Sequence, residues 1–325
     1  MIGRQQLVDD LGRIGVRPGG VLFVQASLRS IGQVRGGVRT VVDALLEALG
    51  PVGTLVVYTA TPENSLSSPA YLADSANMDL RSQRIAHRRA MEPFDIDRTP
   101  SSRRTVGIIS EAVRTTPGAL RSAHPQTSFA AIGPRAAEIV ADHRLECHLG
   151  EDSPVGRLYE MQAQGLLIGV ADRRFTPYHL AEYYPPNPPV RVHAALVSTE
   201  NRLRCWKLFN AVDLDDGHFP EMGERIRREV RFGEGRVGAA VSHLIPVAPA
   251  VDAARRWVME RYLADRMTAP TYGIIRRLHT CCMPPEFWSD SCTFTTVERD
   301  SGQLRTLSLK EFMTARQALW SGADT

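Results

Sequence analysis

Lysine is almost missing from the 325-residue chain: Lys207 and Lys310 are the only two among 39 basic residues. So lopsided an arginine usage mostly reflects high-GC coding. Against 36 acids it leaves a formal charge of +3, with no basic block long enough for a nucleic-acid arm. Cysteine is scarce as well: Cys147, Cys205, Cys281, Cys282 and Cys292 are too few and too unevenly spaced for a disulfide framework in a chain this long. No stretch approaches the ~18 consecutive apolar residues of a membrane span, and the N-terminal segment, which carries Asp9 and Asp10, lacks a signal-peptide core. These absences predict a cytoplasmic protein working away from membranes and nucleic acids. Familiar catalytic signatures are missing too, since no GxSxG, HExxH or EF-hand pattern occurs.

What remains is ordinary globular material, 43% apolar and 23% charged, enough for one large domain or two modest ones. Leu7, Leu11 and Ile14 share one face of an amphipathic helix over 4–15, which Arg17-Pro18-Gly19-Gly20 breaks before a buried-type strand at 21–24. A Gly-containing loop, a helix over 38–49 and a β-branched strand at 54–58 follow, the opening of an α/β fold. The alternation then lapses over 62–104, a Pro-, Ser- and Arg-rich insertion of the length that usually serves as a lid or binding loop. Helical spacing returns at 105–115, 134–143 and 153–161, and Leu166–Val170 is the next strand. Thr176-Pro177 reads as a helix start carrying His179 and Glu182 on one face. Residues 190–213 are β-rich around a turn at Glu200-Asn201, and helices are predicted over 221–232, 250–264 and 309–319.

Several segments could carry chemistry. The 27–37 loop joins a strand to a helix, and Gly32, Gly36 and Gly37 would let backbone amides approach a phosphate, with Arg29 or Arg35 as counter-charge; an ordinary βα turn has the same look. In RSAHPQTSFAAIG (121–133), spacing favours a buried polar turn over a strand mouth presenting Ser122 and His124. His179 is the better catalytic candidate, because a helix start favours a neutral imidazole and an acidic neighbour would orient it, although a lone histidine is more often structural. His279, Cys281, Cys282 and Cys292 include zinc-ligand types without the usual CxxC spacing, and no metal is required by this reading. Cys147 beside His148 reads as a loop thiol. Asp213, Asp215 and Asp216 suit a cation or merely a turn.

Taken in order, ASLRSIG (26–32) leading to Gly36-Gly37, RSAHPQTSFAAIG, GEDSPVGRLYE from Gly150, LLIGV (166–170) and His179-Leu180-Ala181-Glu182 resemble the aminoglycoside 3-N-acetyltransferase family over about residues 4–263. The resemblance implies a three-layer α/β/α sandwich around a mixed sheet, with a smaller β-containing C-terminal part, in a domain spanning 1–265. Residues 266–325 would be an extension of unknown role. It implies transfer of an acyl group from acetyl-CoA, or another acyl-CoA, to a small-molecule amine. By matching motif, Ser27, Leu28, Arg29, Ser30, Gly32, Val34, Arg35, Gly36 and Gly37 would hold CoA, with Tyr58, Ser122, Ala123 and His124 on the thioester side. His179 matches the catalytic base.

Two positions depart from the family's pattern. Gln25 stands where a histidine is usual, and Ala211 where the acidic partner of the base is usual, which leaves Asp213 as the acid expected beside His179. Carboxylates facing a polycationic acceptor would come from Glu63, Glu92, Asp95, Glu182 and Asp215, amid an insertion rich in arginine (Arg84, Arg88, Arg89, Arg98, Arg103, Arg104). The expected activity is therefore acylation of an aminoglycoside amine by direct attack. Its alternatives are biosynthetic acylation of another natural-product amine, or a CoA-binding relative without catalysis. A homodimer is left open.

Overall fold

The computed structural model describes residues 1–68, 71, 81–199, 201, 203–268, 277–279, 293–297 and 304–308. Helix α1 (Arg4–Ile14) leads into strand β1 (Val21–Ala26), the short α2 (Leu28–Ile31), α3 (Gly37–Leu49) and β2 (Thr54–Tyr58). The insertion contributes α4 (Arg81–Ala90), after which come α5 (Gly107–Arg114), β3 (Leu120–Arg121), β4 (Phe129–Ile132), α6 (Ala136–Val140), α7 (Pro154–Glu160) and β5 (Gln164–Ile168). A hairpin of β6 (Val190–Ser198) and β7 (Arg204–Val212), then α8 (Phe219–Glu229), β8 (Gly233–Val237), β9 (Ala240–Pro246) and α9 (Val247–Thr268), complete the main body.

Seven strands form one mixed sheet in the order β3-β4-β2-β1-β5-β9-β8. The central β1 runs parallel to β2 and β5, with Phe23 opposite Val56 and Gly165, and the outer pairings are antiparallel. Its central strands β1, β2 and β5 are buried at nearly every position because both faces are covered. On β1, Leu22 and Val24 point into a core closed by α1, α3 and α5, through Leu11, Leu45 and Ile109. Phe23, between them, points the other way, into a core closed by α6, α7, α8 and α9, through Ile139, Leu158, Met222 and Val251. Period-two alternation in the strands thus makes the expected α/β/α sandwich.

Local differences from the sequence reading are small and have physical causes. The strand expected at 166–170 is shifted back to 164–168, because Gly169 takes a positive φ of 62° and ends it. Thr176–Tyr183 is a 3-10 segment, with Phe175 rather than Thr176 in the cap position. The insertion docks on the β6–β7 hairpin through single bridges, Ser65 to Ala195 and Phe94 to Val197. In the C-terminal extension, β10 (Arg277–His279), β11 (Thr293–Val297) and β12 (Leu304–Ser308) form an antiparallel sheet of their own. The candidate zinc residues Cys281, Cys282 and Cys292, the side chain of His279 and the helix expected at 309–319 lie outside the described residues.

Candidate active site

Strands β1 and β5 run parallel, so their carboxyl ends open together, and the site is built on them. From β1 the chain enters the 27–37 loop, where Ser27 caps the short α2: its Oγ accepts from Ser30 N at 3.3 Å and from Ser30 Oγ at 2.9 Å, while Ser27 N donates to Ile168 O at 2.9 Å across the sheet. Gly36, at φ 82°, makes the turn into α3, and a Cβ there would run into Thr40 Oγ1. Gly169 lies against Ser30 so closely that a Cβ would overlap its side chain, which locks the loop to the end of β5. Arg29 and Arg35 are exposed beside it, and neither forms an ion pair with a described acid. A strand-to-helix turn with a helix N-terminus of 13 residues and two unpaired guanidinium groups is a fit place for a pyrophosphate.

Gln25, at the end of β1, performs a different task. Its Nε2 donates to Arg174 O at 2.9 Å and its Oε1 accepts from Thr176 N at 3.1 Å. One side-chain amide therefore clamps both flanks of Phe175, itself fully buried, and fixes the start of the 3-10 segment. That segment presents His179. Its Nδ1 donates to Glu182 Oε2 at 2.5 Å, and the ring packs on Phe219 with centroids 4.6 Å apart. Glu182 Oε1 accepts from Asp215 N at 2.9 Å, so the carboxylate is held from both sides. With Nδ1–H committed to a carboxylate, the neutral tautomer leaves a lone pair on Nε2, the arrangement a general base needs.

The expected acid is elsewhere. Asp213 lies 3.0 Å from Arg191 Nε, in an ion pair at the end of the β6–β7 hairpin. Ala211 is buried in an apolar cluster with Ala195 and Phe209. Glu182, placed by sequence among the substrate-binding residues, is the carboxylate that touches His179. Three residues apart, the two meet because a 3-10 turn eclipses side chains at i and i+3.

Within the 121–133 segment, residues 122–128 form a buried polar turn between β3 and β4. Ser122 Oγ donates to His143 Nδ1 and accepts from Phe129 N, both at 2.9 Å. His124 Nε2 donates to Leu145 O at 3.2 Å, and Nδ1 accepts from the amides of Gln126 and Thr127 at 3.1 Å. Both side chains are fully buried with their hydrogen-bonding capacity directed at the chain itself, so of the four residues expected on the thioester side only Ala123 is exposed. Tyr58 is half-buried against Phe129, and burial pushes its hydroxyl well above the usual phenol range.

Sequence reasoning missed the cluster around that turn. His124, His143, His148 and His193 are all buried, with ring centroids of successive pairs 4.4 to 4.7 Å apart. Burial holds them neutral: His143 is lowered to about 4 and His193 to about 3, and His124 and His148 lie well below the normal imidazole value. They come from three segments far apart in sequence, only His143 and His148 sharing a loop, so no spacing advertises the cluster. His218, which faces Glu182, was missed for the same reason.

The candidate acceptor carboxylates are dispersed in role. Glu63 accepts from Ser102 Oγ, and Asp95 Oδ1 caps its own turn through the amides of Asp97 and Arg98, each at 3.0 Å. Glu92 is exposed, and Asp215 Oδ1 accepts from Gly217 N at 2.8 Å. Among the described residues no group of three His, Cys, Asp or Glu could hold a metal ion, and no helix is long and apolar enough to cross a membrane.

An imidazole paired with a carboxylate on the segment after β5, and a glycine-containing strand-to-helix turn after β1, are equipment suited to an α/β group-transfer enzyme. The family model for aminoglycoside 3-N-acetyltransferases matches residues 23–259, and the chain belongs to that family. It is an acetyltransferase by that membership. The SPbeta prophage-derived aminoglycoside N(3')-acetyltransferase-like protein YokD of Bacillus subtilis is 33% identical, over 78% of this chain and 91% of its own length. Among solved structures, AAC-VIa bound to sisomicin superposes with a TM-score of 0.67 at 31% identity, covering 80% of this chain and 98% of that one. AAC-IIIb in a binary complex with CoASH gives 0.68 at 27% identity, covering 80% and 97%.

Proposed function

We propose that the protein transfers the acetyl group of acetyl-CoA directly to the 3-amino group of a 2-deoxystreptamine aminoglycoside, with His179 as general base and Glu182 as its orienting acid. The observation that carries this reading is the 2.5 Å contact between His179 Nδ1 and Glu182 Oε2, which leaves Nε2 as the proton acceptor. The CoASH complex of AAC-IIIb and the sisomicin complex of AAC-VIa, both of the same fold, support the choice of donor and acceptor.

Acetyl-CoA supplies the activated acyl carbon. The 27–37 loop binds its pyrophosphate through Arg29, Arg35 and the amino end of α3, which orients the thioester. An ammonium has no lone pair, so His179 Nε2 removes a proton from the acceptor nitrogen before that nitrogen bonds to the acyl carbon and the carbon–sulfur bond breaks. Glu182 stabilises the imidazolium, whose Nε2 proton then goes to the departing thiolate, and the second proton that the nitrogen sheds on becoming an amide passes to water. No covalent acyl-enzyme is needed. A burst of CoA release in the absence of acceptor would contradict direct transfer; none is expected.

Glu182, Asp215 and Asp216 place negative charge on the acceptor side of His179, although Asp216 is already within 3.8 Å of Arg174. With Asp213, Glu63 and Asp95 engaged by the chain itself, the cleft offers few unpaired carboxylates, which favours as second reading a biosynthetic acceptor bearing fewer amines. Thiol release measured against a panel of aminoglycosides, simple amino acids and nucleoside amines separates the two. Rapid turnover confined to deoxystreptamine compounds is the expected result.

Gln25 provides a further check. Gln25→Leu leaves Arg174 O and Thr176 N without their partner, at a cost of about 2 kcal/mol in folding free energy, and loosens the segment carrying the base. Turnover is expected to fall about tenfold with little change in CoA affinity, a misplacement effect. Steady-state kinetics beside chemical denaturation measure both.

A further inference from the structure

Glu182 has a second imidazole beside it. His218 caps α8, its ring lies flat on Trp257 with an interplanar angle of 11° and centroids 5.3 Å apart, and it meets Phe219 edge-on. Phe219 in turn packs on His179, so the two imidazoles flank one phenyl ring. His218 Nε2 is enclosed and without a hydrogen-bond partner, and it stands 3.9 Å from Glu182 Oε1. That separation is short enough for an ion pair and about 1 Å longer than a normal N–H···O bond. An enclosed imidazole nitrogen without a partner beside a half-buried carboxylate is a costly arrangement unless it is used.

We propose that His218 is a positioning residue that donates from Nε2 to Glu182 Oε1, so that the carboxylate orienting His179 is shared between two imidazoles. The inference rests on the reading of His179 as the base, and it adds a residue that never touches substrate. A carboxylate receiving His218 Nε2–H and Asp215 N–H on one oxygen has less charge to offer His179 Nδ1–H on the other. His218 therefore makes His179 a weaker proton acceptor than an unshared pair, and it does so whether His218 is neutral or cationic, because both forms stabilise the carboxylate.

The other charged and titratable groups around the trio are already fixed. Tyr183, on the same segment as Glu182, is buried with its hydroxyl bonded by Leu149 N at 3.2 Å. His148, within electrostatic reach of His179, is held neutral by burial. Asp215 engages Gly217 N, Asp216 faces Arg174, and Asp213 pairs with Arg191. From α9, Arg261 lies over the Trp257 ring at 5.3 Å. His218 is the group left to modulate the dyad.

The test is an NMR titration of protein labelled with carbon-13 histidine, with the His179 signal assigned by its loss in His179→Gln. His218→Phe keeps an aromatic ring on Trp257 and removes the donor; the His179 midpoint is expected to rise by about half a pH unit, a threefold gain in proton affinity. His218→Gln restores a donor and should return the midpoint to that of the parent protein. An unchanged or lowered midpoint in His218→Phe overturns the proposal. Coupling is reciprocal, so His179→Phe, which removes the donor to Glu182 Oε2, should raise the His218 midpoint by a similar amount, and no movement there overturns the proposal even if His218→Phe fails to fold. The titration needs no acceptor. Failure of aminoglycoside acetylation would show in the thiol assay and leave this result intact.

Discussion

His179→Gln is expected to lower kcat by about a hundred- to ten-thousand-fold while CoA affinity, measured by calorimetry, stays within a factor of about three. The reasoning is local. His179 contacts Glu182 and Phe219, and its replacement removes the proposed proton acceptor while leaving Arg29, Arg35 and the amino end of α3 in place. Glu182→Gln should lose nearly as much. Its amide can donate to Nδ1, which puts the proton on Nε2 and blocks the lone pair, as in other dyads where the acid is neutralised. Asp213→Asn, which breaks only the 3.0 Å pair with Arg191, is expected to keep most of the turnover. If Asp213→Asn were silent and Glu182→Gln active, the acid would be misassigned.

Acid is expected to unfold the protein steeply, because of four residues outside the proposed chemistry. His124, His143, His148 and His193 are neutral and buried in the fold, with lowered proton affinities, whereas in the unfolded chain each titrates near the ordinary value of about 6.5. Below that value the unfolded state binds more protons than the folded one. The stabilisation is complete above it and is lost as pH falls toward about 4 for His143 and about 3 for His193. Each histidine loses about 1.4 kcal/mol of stabilisation by one pH unit below its unfolded value, so the four together lose about 6 kcal/mol by roughly pH 5.5. That is comparable with the whole stability of an ordinary domain. Denaturation free energies measured across neutral to mildly acidic pH should fall with this slope, and a flat profile would contradict the assignment of the cluster as neutral.

The fold was legible where periodicity and punctuation coincide. Thr54–Tyr58 was delimited residue for residue, and the helices ending at Leu49 and starting at Pro154 were marked by Gly50-Pro51 and by Ser153-Pro154. The i, i+3 spacing put His179 and Glu182 on one face, but the acid expected beside His179 was Asp213, and Glu182 was read as a substrate-binding residue. Long-range pairing was not legible. Asp213 looked available because sequence does not show that β6 and β7 pair Arg191 with Ala211 and so bring Arg191 to it. Gln25 looked like an altered strand end, yet its partners are Arg174 and Thr176. Ser122 and His124 were correctly read as a buried turn from spacing, and the thioester-side role came only from resemblance.

The central claim is transfer to a particular nitrogen with His179 as base. The most direct test is to incubate the enzyme with acetyl-CoA and a deoxystreptamine aminoglycoside and to locate the acetyl group by NMR of the purified product, with His179→Gln in parallel. The account predicts one acetyl group, on the 3-amino nitrogen, formed in step with thiol release and absent with the variant. Acetylation elsewhere, an unmodified aminoglycoside, or the same product at the same rate from His179→Gln would contradict it.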